Sequence, residues 1–347
     1  MIMNTRLIGT LLAALTIGAS VVHAEALPPD VKLPVRGTIR ICGDTQGGLL
    51  GLLETPFVKI HPDVAFSNIV APSQLGVPGM ILGICDLAIT GAPAESSQLY
   101  LLNKVGHRRP VEISIAGGSY DVRGRSAVLG VYVNRSNPID KLTIKQLEQI
   151  FGEQRNAGWR NYLWDDAQAR GPAENIRTWG QLGLKGKWAG KPIHTYGLSW
   201  GGPEIFMTRL LTGNSDKWNP NYRTYNIKGF ARGKALTSQM IVDMAADPSS
   251  IGWTQVIFAA DNHNLKLVAL AADVRGPYVL PSKDSLANRS YPLNRDIYIY
   301  ARVPLDYAEE GFLRFVLSAE GQRIVAEQGI FNPLTPEAIR EQLEKLQ

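Results

Sequence analysis

The chain has 347 residues, enough for two lobes that each bury a core of their own. Its composition is ordinary for a globular protein, with 45% hydrophobic and 19% charged residues. The formal net charge of +5 favours anionic ligands, although the basic residues are dispersed. Nucleic acid is not expected as a partner, because the sequence carries no base-reading module and begins with an export signal.

The first 24 residues form the predicted export signal. Arg6 supplies the charged start, and residues 7–22 are apolar with few polar interruptions. Residues 22–24 fit a small-x-small cleavage site, so we expect cleavage after Ala24 and a periplasmic protein without stable membrane insertion. The apolar run is short for a membrane span, but an uncleaved anchor stays open as the alternative.

Strands and helices alternate through the sequence after an extended lead-in over residues 25–36. This alternation predicts a parallel α/β sheet, whose ligands bind outside the carboxyl ends of the strands. The predicted strands cover residues 38–42, 64–70, 86–90, 112–116, 127–134, 193–196, 251–257 and 296–303. Helices are predicted to end near 60, to lie around 77–83, and to cover 143–151, 238–247, 306–328 with an interruption near 318–321, and 336–347. Thr143 is the predicted cap of the helix over 143–151.

The two cysteines are predicted to be buried free thiols, although disulfides form in the periplasm. Cys42 ends the first predicted strand, and Cys85 begins the strand over residues 86–90. If these strands are parallel neighbours, four to five residues at about 3.3 Å each separate the cysteines by roughly 13–17 Å. A disulfide needs Cα atoms within about 7 Å.

The segment Ser199-Trp200-Gly201-Gly202-Pro203 is a glycine-rich turn between a predicted strand and an apolar-periodic helix. Glycines expose backbone N–H groups, and a helix start adds partial positive charge. Such a junction suits an oxyanion or a carboxylate.

Residues 197–201 also match the G-x-S-x-G pattern of a hydrolase nucleophile, with Asp261 and His263 as crude partners for Ser199. That motif is short and arises often by chance, so we predict that the protein is not an enzyme. The histidines show no metal-ligand spacing, and we predict neither a metal nor a cofactor.

The stretches YPLNRDIYIY (291–300) and FLRFVLSAEGQ (312–322) resemble the phosphate-type periplasmic substrate-binding proteins of ABC transporters. The similarity runs from about Gly37 to Leu334. It implies a type II periplasmic-binding-protein fold, with two α/β lobes, each a mainly parallel sheet flanked by helices, and two crossing hinge segments. We expect lobe I over 37–130 and 289–347, lobe II over 131–288, and a monomer.

The resemblance implies ligand loops in lobe I that carry Thr45 with Gln46, Ser73, Thr90 and Gly91. Gly91 stands where the family carries an aspartate. A carboxylate there can accept a hydrogen bond from hydrogen phosphate but is left unpaired by sulfate, so its loss weakens that discrimination.

In lobe II the resemblance places Ser199, Trp200, Gly201 and Gly202 at the family's Gly-Ser-Gly-Thr turn. Tyr196 then falls at the position of the family's arginine, and Leu198 at that of its aspartate. The bidentate clamp of an arginine is therefore missing.

Two substitutes are considered for the missing contacts. Arg123 or Arg125 could supply the charge from the lobe junction, and Trp200 could stack on or wall off an organic ligand.

The resemblance implies a periplasmic protein that captures phosphate, a related oxyanion or a small carboxylate by lobe closure and delivers it to ABC permease subunits. The altered site leaves a second reading open, in which a protein of this family has lost transport and serves as a sensory or structural binding protein for an organic ligand or protein partner.

Overall fold

The computed structural model of the chain describes residues 35–106, 109–153, 159–160, 163–199, 201–215, 217–225 and 235–347. The predicted signal, most of the lead-in and Trp200 lie outside the described residues. The strands are β1 (Gly37–Gly43), β2 (Val64–Val70), β3 (Leu87–Thr90), β4 (Arg109–Gly117), β5 (Leu129–Asn134), β6 (Lys141–Thr143), β7 (Trp159–Arg160), β8 (Leu163–Trp164), β9 (His194–Leu198), β10 (Arg223–Tyr225), β11 (Ser250–Gln255), β12 (Leu265–Leu267), β13 (Ala269–Ala271) and β14 (Asp296–Val303). The helices are α1 (Leu49–Ile60), α2 (Gly76–Ile81), α3 (Ser96–Gly106), α4 (Ile144–Phe151), α5 (Gly202–Leu211), α6 (Ala235–Ala246), α7 (Val256–Ala259), α8 (Lys283–Ala287), α9 (Tyr307–Val316), α10 (Ala319–Gln328) and α11 (Pro336–Glu344). Within this described part, no helix is long and apolar enough to cross a membrane.

Each lobe contains a five-stranded sheet. The strand order is β2-β1-β3-β14-β4 in lobe I and β10-β9-β11-β5-β12 in lobe II, so the two sheets have equivalent topologies. In each sheet the first three strands are parallel, and the fourth is antiparallel to both of its neighbours. Four strands of each sheet therefore point the same way. This confirms the predicted α/β fold of two lobes with mainly parallel sheets.

The reversed strand of each sheet follows a crossing between the lobes. The chain leaves lobe I after β4 and enters the lobe II sheet as β5, and it returns before β14. The Tyr291 hydroxyl, on the return crossing, donates to the Leu129 carbonyl at the start of β5 at 2.9 Å. The two crossings therefore run side by side at the junction of the lobes.

Each lobe buries its own apolar core. In lobe I, Phe312 of α9 packs edge-on against Phe57 of α1 and Phe66 of β2, with ring centroids 5.3 and 4.9 Å away. The lobe II core includes the fully buried side chains of Trp179 and Trp253. The separate cores let the lobes act as two units around the crossings.

The helix starts follow the local sequence signals. α4 begins after the predicted Thr143 cap, whose hydroxyl accepts from the Gln146 N–H at 3.1 Å. The Gln146 side-chain carbonyl in turn accepts from the Thr143 N–H. The helix predicted over residues 306–328 is interrupted as expected, and Ser318 caps α10.

The prediction of free thiols is wrong, because Cys42 and Cys85 form a disulfide with their Cα atoms 5.8 Å apart. The prediction placed Cys85 at the start of a straight strand, but β3 begins only after it. The turn that carries Cys85 folds across β1, where the Asp86 N–H donates to the Arg40 carbonyl at 2.9 Å. Helix α2 packs against the disulfide through Gly79, where a Cβ would lie 2.6 Å from Cys42 Sγ.

Candidate functional site

A cavity of about 550 Å³ opens where loops of both lobes meet. Lobe I contributes the loops after β1, β2 and β3, lobe II contributes the start of α5 and the end of β11, and the two crossing segments supply the rest. This is the position predicted from the carboxyl ends of the strands. The predicted residues Gln46, Ser73, Gly91 and Gly202 line the cavity, together with Asp44, Ser126, Gln255 and Arg295, which were not predicted.

Gly91 is tightly enclosed at the inner wall of the cavity. A Cβ on Gly91 would lie 2.5 Å from the hydroxyl of Ser126 and 3.2 Å from the side-chain carbonyl of Gln46. The Ser126 hydroxyl donates to the Gly91 carbonyl at 2.9 Å. The space that a side chain at position 91 would need is therefore filled by neutral polar groups from two other loops.

Ser73 is fixed by two donors of the same wall. Its hydroxyl oxygen accepts from the Gln46 side-chain amide at 3.4 Å and from the Gly91 N–H at 3.3 Å. Because a hydroxyl has two lone pairs and one hydrogen, the hydrogen of Ser73 stays available to donate. Ser73 is only half-buried, so that hydrogen can reach a ligand.

Arg295 places a cation at the back of the cavity. Its side chain comes from the return crossing, one residue before β14, and the residue is 4% exposed. Nη1 donates to the Ala127 carbonyl at 3.2 Å, and Nη2 donates to the Gly91 carbonyl at 3.1 Å. A Cβ on Gly202 would lie 2.9 Å from Nη2, so this nitrogen sits between the two lobes.

The charge of Arg295 has no counterion among the described residues. The neighbouring carboxylate, Asp296, pairs with Arg289 at 2.8 Å. Nε of Arg295 is buried and has no hydrogen-bond partner in the same part of the chain. Burial lowers the pKa of Arg295 to about 10, so the group is still a cation at neutral pH.

Asp44 is the one carboxylate among the described residues that line the cavity. Its Oδ1 accepts from the Gln46 N–H at 2.7 Å and faces Arg125 Nη1 at 3.4 Å. Arg125, one of the two predicted substitutes for the missing charge, is thus paired at the cavity edge. The other, Arg123, is exposed and lies over the ring of Phe258, 5.3 Å from its centroid.

Two predicted ligand hydroxyls do not line this cavity. The Thr90 hydroxyl donates to the Ala92 carbonyl at 2.8 Å and accepts from the Ala92 N–H at 3.0 Å, which holds the loop after β3. Thr45 is half-buried beside the cavity, and its carbonyl accepts from the Leu50 N–H at 3.3 Å.

The lobe II turn meets the cavity at one end only. Gly202 and Pro203, at the start of α5, line it. Gly201 has φ +95°, which favours glycine, and its carbonyl accepts from the Ile205 N–H. Ser199 is exposed and does not line the cavity, and its N–H donates to the Tyr225 carbonyl at 3.2 Å. Trp200 lies outside the described residues.

Tyr196 and Leu198 point into lobe II and not toward the cavity. Leu198 is a buried core residue. The Tyr196 hydroxyl donates to Asp247 at 2.9 Å and accepts from Arg223 at 2.6 Å. Burial, together with its bond to Asp247, raises the pKa of Tyr196. Strand β9 therefore brings no charged side chain to the cavity.

Sequence reasoning missed Arg295 and Ser126. Arg295 lies within the stretch that carries the family resemblance, but the sequence does not show that its side chain lines the cavity. Ser126 has φ +46°, a conformation that is unusual for serine and that no pattern in the sequence predicts.

The chain is similar to known phosphate-binding proteins, although no protein-family model matches it. It is 26% identical over 352 residues to the phosphate-binding protein PstS of Pseudomonas aeruginosa, a match that covers 97% of this chain and 98% of that protein. It is 22% identical over 318 residues to PstS of Staphylococcus saprophyticus, covering 90% and 85%. The structure of PstS from Borrelia burgdorferi aligns with a TM-score of 0.50 and 17% identity over 86% of this chain and all of that one.

These matches confirm the resemblance to phosphate-type substrate-binding proteins. The structural match confirms the fold.

Proposed function

We propose that this protein is a periplasmic solute-binding protein that captures phosphate or a related small oxyanion between its lobes for an ABC importer. The named relatives are phosphate-binding proteins, and the similarity covers nearly the whole chain. Periplasmic location rests on the predicted signal over residues 1–24. Delivery to a permease rests on the family resemblance.

The buried cation of Arg295 is the observation that carries this proposal. Burying an ionised group without a counterion is costly, so such groups are normally paired. Arg295 lines the cavity and has only carbonyl partners within the described residues. An anion in the cavity would supply the missing counterion, and its binding would remove that cost.

Donors from lobe I, from the return crossing and from lobe II surround the position between Gly91 and Gly202. Nη2 of Arg295 uses one hydrogen on Gly91, which leaves its second hydrogen for a ligand. The hydrogen of Ser73 is free as well. The start of α5 at Gly202 adds the partial positive charge of a ten-residue helix.

Lobe closure would complete the site, because donors from lobes I and II face the same cavity. A ligand that touches both lobes stabilises the closed arrangement by its additional contacts. The predicted lobe boundaries and the site residues Gln46, Ser73, Gly91 and Gly202 are part of this proposal. Gln255, Ser126 and Arg295 are added to them.

Isothermal titration calorimetry with inorganic phosphate, sulfate and succinate on purified, refolded protein tests the function. We expect micromolar or tighter binding of an inorganic oxyanion. Arg295→Gln should weaken it about 100-fold or more, because truncating one partner of a buried charge pair costs several kcal/mol. Arg275→Gln is the matched control, since it removes the same charge from an 86% exposed side chain and should leave affinity unchanged.

Two outcomes would contradict the proposal. If no anion in the panel binds, the proposal of anion capture is contradicted, and the sensory or structural alternative is favoured. If Arg295→Gln and Arg275→Gln bind the oxyanion with equal affinity, Arg295 stabilises the fold and does not contact the ligand. Arg295→Lys, which keeps the charge, separates loss of charge from loss of shape.

A further inference from the structure

We infer that Gln328 is a positioning residue, which sets ligand affinity from outside the cavity by holding the loop after β1. The inference rests on the proposed function, because that loop carries Gln46 of the candidate site. Gln328 is the last residue of α10 and does not line the cavity. Its side-chain amide nitrogen donates to the Gln46 carbonyl and to the Gly47 carbonyl, at 3.2 Å each. One side chain thus fixes two successive peptide groups of the loop.

The loop after β1 has a backbone that needs such support. Gln46, Gly47 and Gly48 follow one another with φ of +52°, +65° and +86°. Glycine adopts these angles freely, but a residue with a side chain is strained there. Asp44 Oδ1 holds the Gln46 N–H at 2.7 Å, and Gln328 holds the Gln46 carbonyl. The strained residue is therefore bonded on both sides.

The position of this loop determines how the cavity wall is arranged. Gln46 is 3% exposed, and its side-chain amide donates to the Ser73 hydroxyl oxygen at 3.4 Å. That bond occupies a lone pair of Ser73 and leaves the Ser73 hydrogen for the ligand. Because 3.4 Å is already long for a hydrogen bond, a small shift of the Gln46 backbone would break it. Loss of the bonds from Gln328 should therefore weaken ligand binding.

The side-chain oxygen of Gln328 shows that this amide is not placed for the fold alone. Oε1 is buried and has no hydrogen-bond partner in the part of the chain that the structure describes. An unpaired buried oxygen is destabilising, and methionine would fill the same space without it. Helix α10 gives the amide a fixed base, since Ile324 and Val325 are buried in the lobe I core. The favourable contacts of the amide are those to the loop.

Calorimetric titration of the full chain with inorganic phosphate, in wild type and in Gln328→Met, tests the inference. Methionine keeps the length of the side chain and removes both bonds to the loop. We expect phosphate to bind about tenfold more weakly, because two neutral hydrogen bonds that hold the loop are lost. Unchanged affinity in Gln328→Met would overturn the inference and leave the proposed function intact. If wild-type protein binds no phosphate, the proposed function fails and the inference fails with it.

Gln322→Met on the same helix is the matched control. The Gln322 amide also donates to two carbonyls, of Ile115 at 3.1 Å and of Val316 at 2.9 Å, but none of these residues lines the cavity. Gln322 is buried and also accepts from the Leu334 N–H at 2.7 Å, so its loss should lower the urea midpoint of unfolding more than Gln328→Met does. Phosphate affinity should stay within about twofold of wild type. A merely structural role of Gln328 would not separate affinity from stability in this way.

A double-mutant cycle with Gln46→Ala tests the route through Gln46. In Gln46→Ala no amide remains to be positioned against Ser73, so Gln328→Met should then weaken phosphate binding by less than about threefold. Equal losses from Gln328→Met in both backgrounds would overturn the inference, because Gln328 would then act independently of Gln46. If circular dichroism shows that Gln322→Met does not fold, this cycle decides.

Discussion

The two walls of the cleft are built differently. The lobe I wall consists of side chains locked together, because Ser73 accepts from Gln46 and from the Gly91 N–H, and Ser126 of the outgoing crossing donates to the Gly91 carbonyl. Apart from Gln255 at the end of β11, the lobe II wall is formed by the start of α5, and strand β9 before it sends its side chains into the lobe II core. The positive charge belongs to neither wall, because Arg295 comes from the crossing between them.

This difference assigns separate tasks to the two lobes. The lobe I wall is pre-formed, so it can define the shape of the ligand before the lobes close. The lobe II wall offers the positive end of α5, which attracts any oxyanion, so it contributes attraction more than selection. Charge placed at the junction attracts the ligand to where both walls can reach it.

Removing the disulfide should have the largest effect, and it should act on the lobe I wall. Cys42 and Cys85 connect β1 to the turn before β3, and the loops after both strands line the cavity. Replacing both cysteines with alanine should lower the free energy of unfolding by about 4 kcal/mol, given the sequence separation of 43. Urea titration followed by circular dichroism measures this.

Wild-type protein reduced with dithiothreitol is the control for the double alanine variant. Both should unfold at the same lower urea concentration, because both lack the same covalent link. An unfolding midpoint identical to that of the oxidised wild type would show that the disulfide contributes nothing to lobe I.

Gly91→Ala should have the next largest effect, on affinity. The new methyl group would lie 2.5 Å from the Ser126 hydroxyl, so Ser126 or the loop after β3 must move. Overpacking of this kind costs about 1–3 kcal/mol, which corresponds to a loss of roughly 5- to 150-fold in phosphate affinity. Gly51→Ala on α1, where a Cβ meets no atom within 4 Å, is the matched control and should bind normally.

The contact between Arg209 and Glu112 should have a smaller effect on closure. Arg209 of α5 in lobe II lies 2.5 Å from Glu112 of β4 in lobe I, so this ion pair joins the lobes. The Arg209 side chain is 42% exposed, which limits the pair to about 0.2–1 kcal/mol. Arg209→Gln should therefore weaken phosphate binding by no more than about fivefold, and less in high salt.

A double-mutant cycle with Glu112→Gln isolates this pair from the bond that Tyr300 makes to Glu112 at 2.5 Å. Arg314→Gln is the control, because its partner Glu310 lies on the same helix of lobe I. Coupling of zero between Arg209 and Glu112 at low salt would show that the pair does not hold the lobes together.

The order of strands and helices could be predicted because it depends on local patterns. The alternation through residue 90 and the Thr143 cap involve neighbours in sequence, and both form as expected. The cysteine prediction failed because straight-strand geometry was applied to Cys85, which lies in a turn.

The charge of the site could not be predicted for the opposite reason. Arg295 acquires its role from Gly91 and Ala127, more than 160 residues away in sequence. No local pattern reports such contacts. The resemblance pointed to β9 for the arginine, whereas the structure places the buried cation on the return crossing, just before β14.

Ser199→Ala should have the smallest effect, and it tests whether the lobe II wall acts through its backbone. Ser199 is exposed and does not line the cavity, and the bond from its N–H to the Tyr225 carbonyl survives in alanine. Phosphate affinity should therefore change by less than about twofold, since surface substitutions away from such contacts shift free energies by about 0.5 kcal/mol or less. The same variant tests the G-x-S-x-G motif, because a hydrolase would lose turnover of a chromogenic ester with Ser199. A large loss of affinity in Ser199→Ala would mean that the turn reaches the ligand through its side chain, and the division between a side-chain wall and a backbone wall would have to be abandoned.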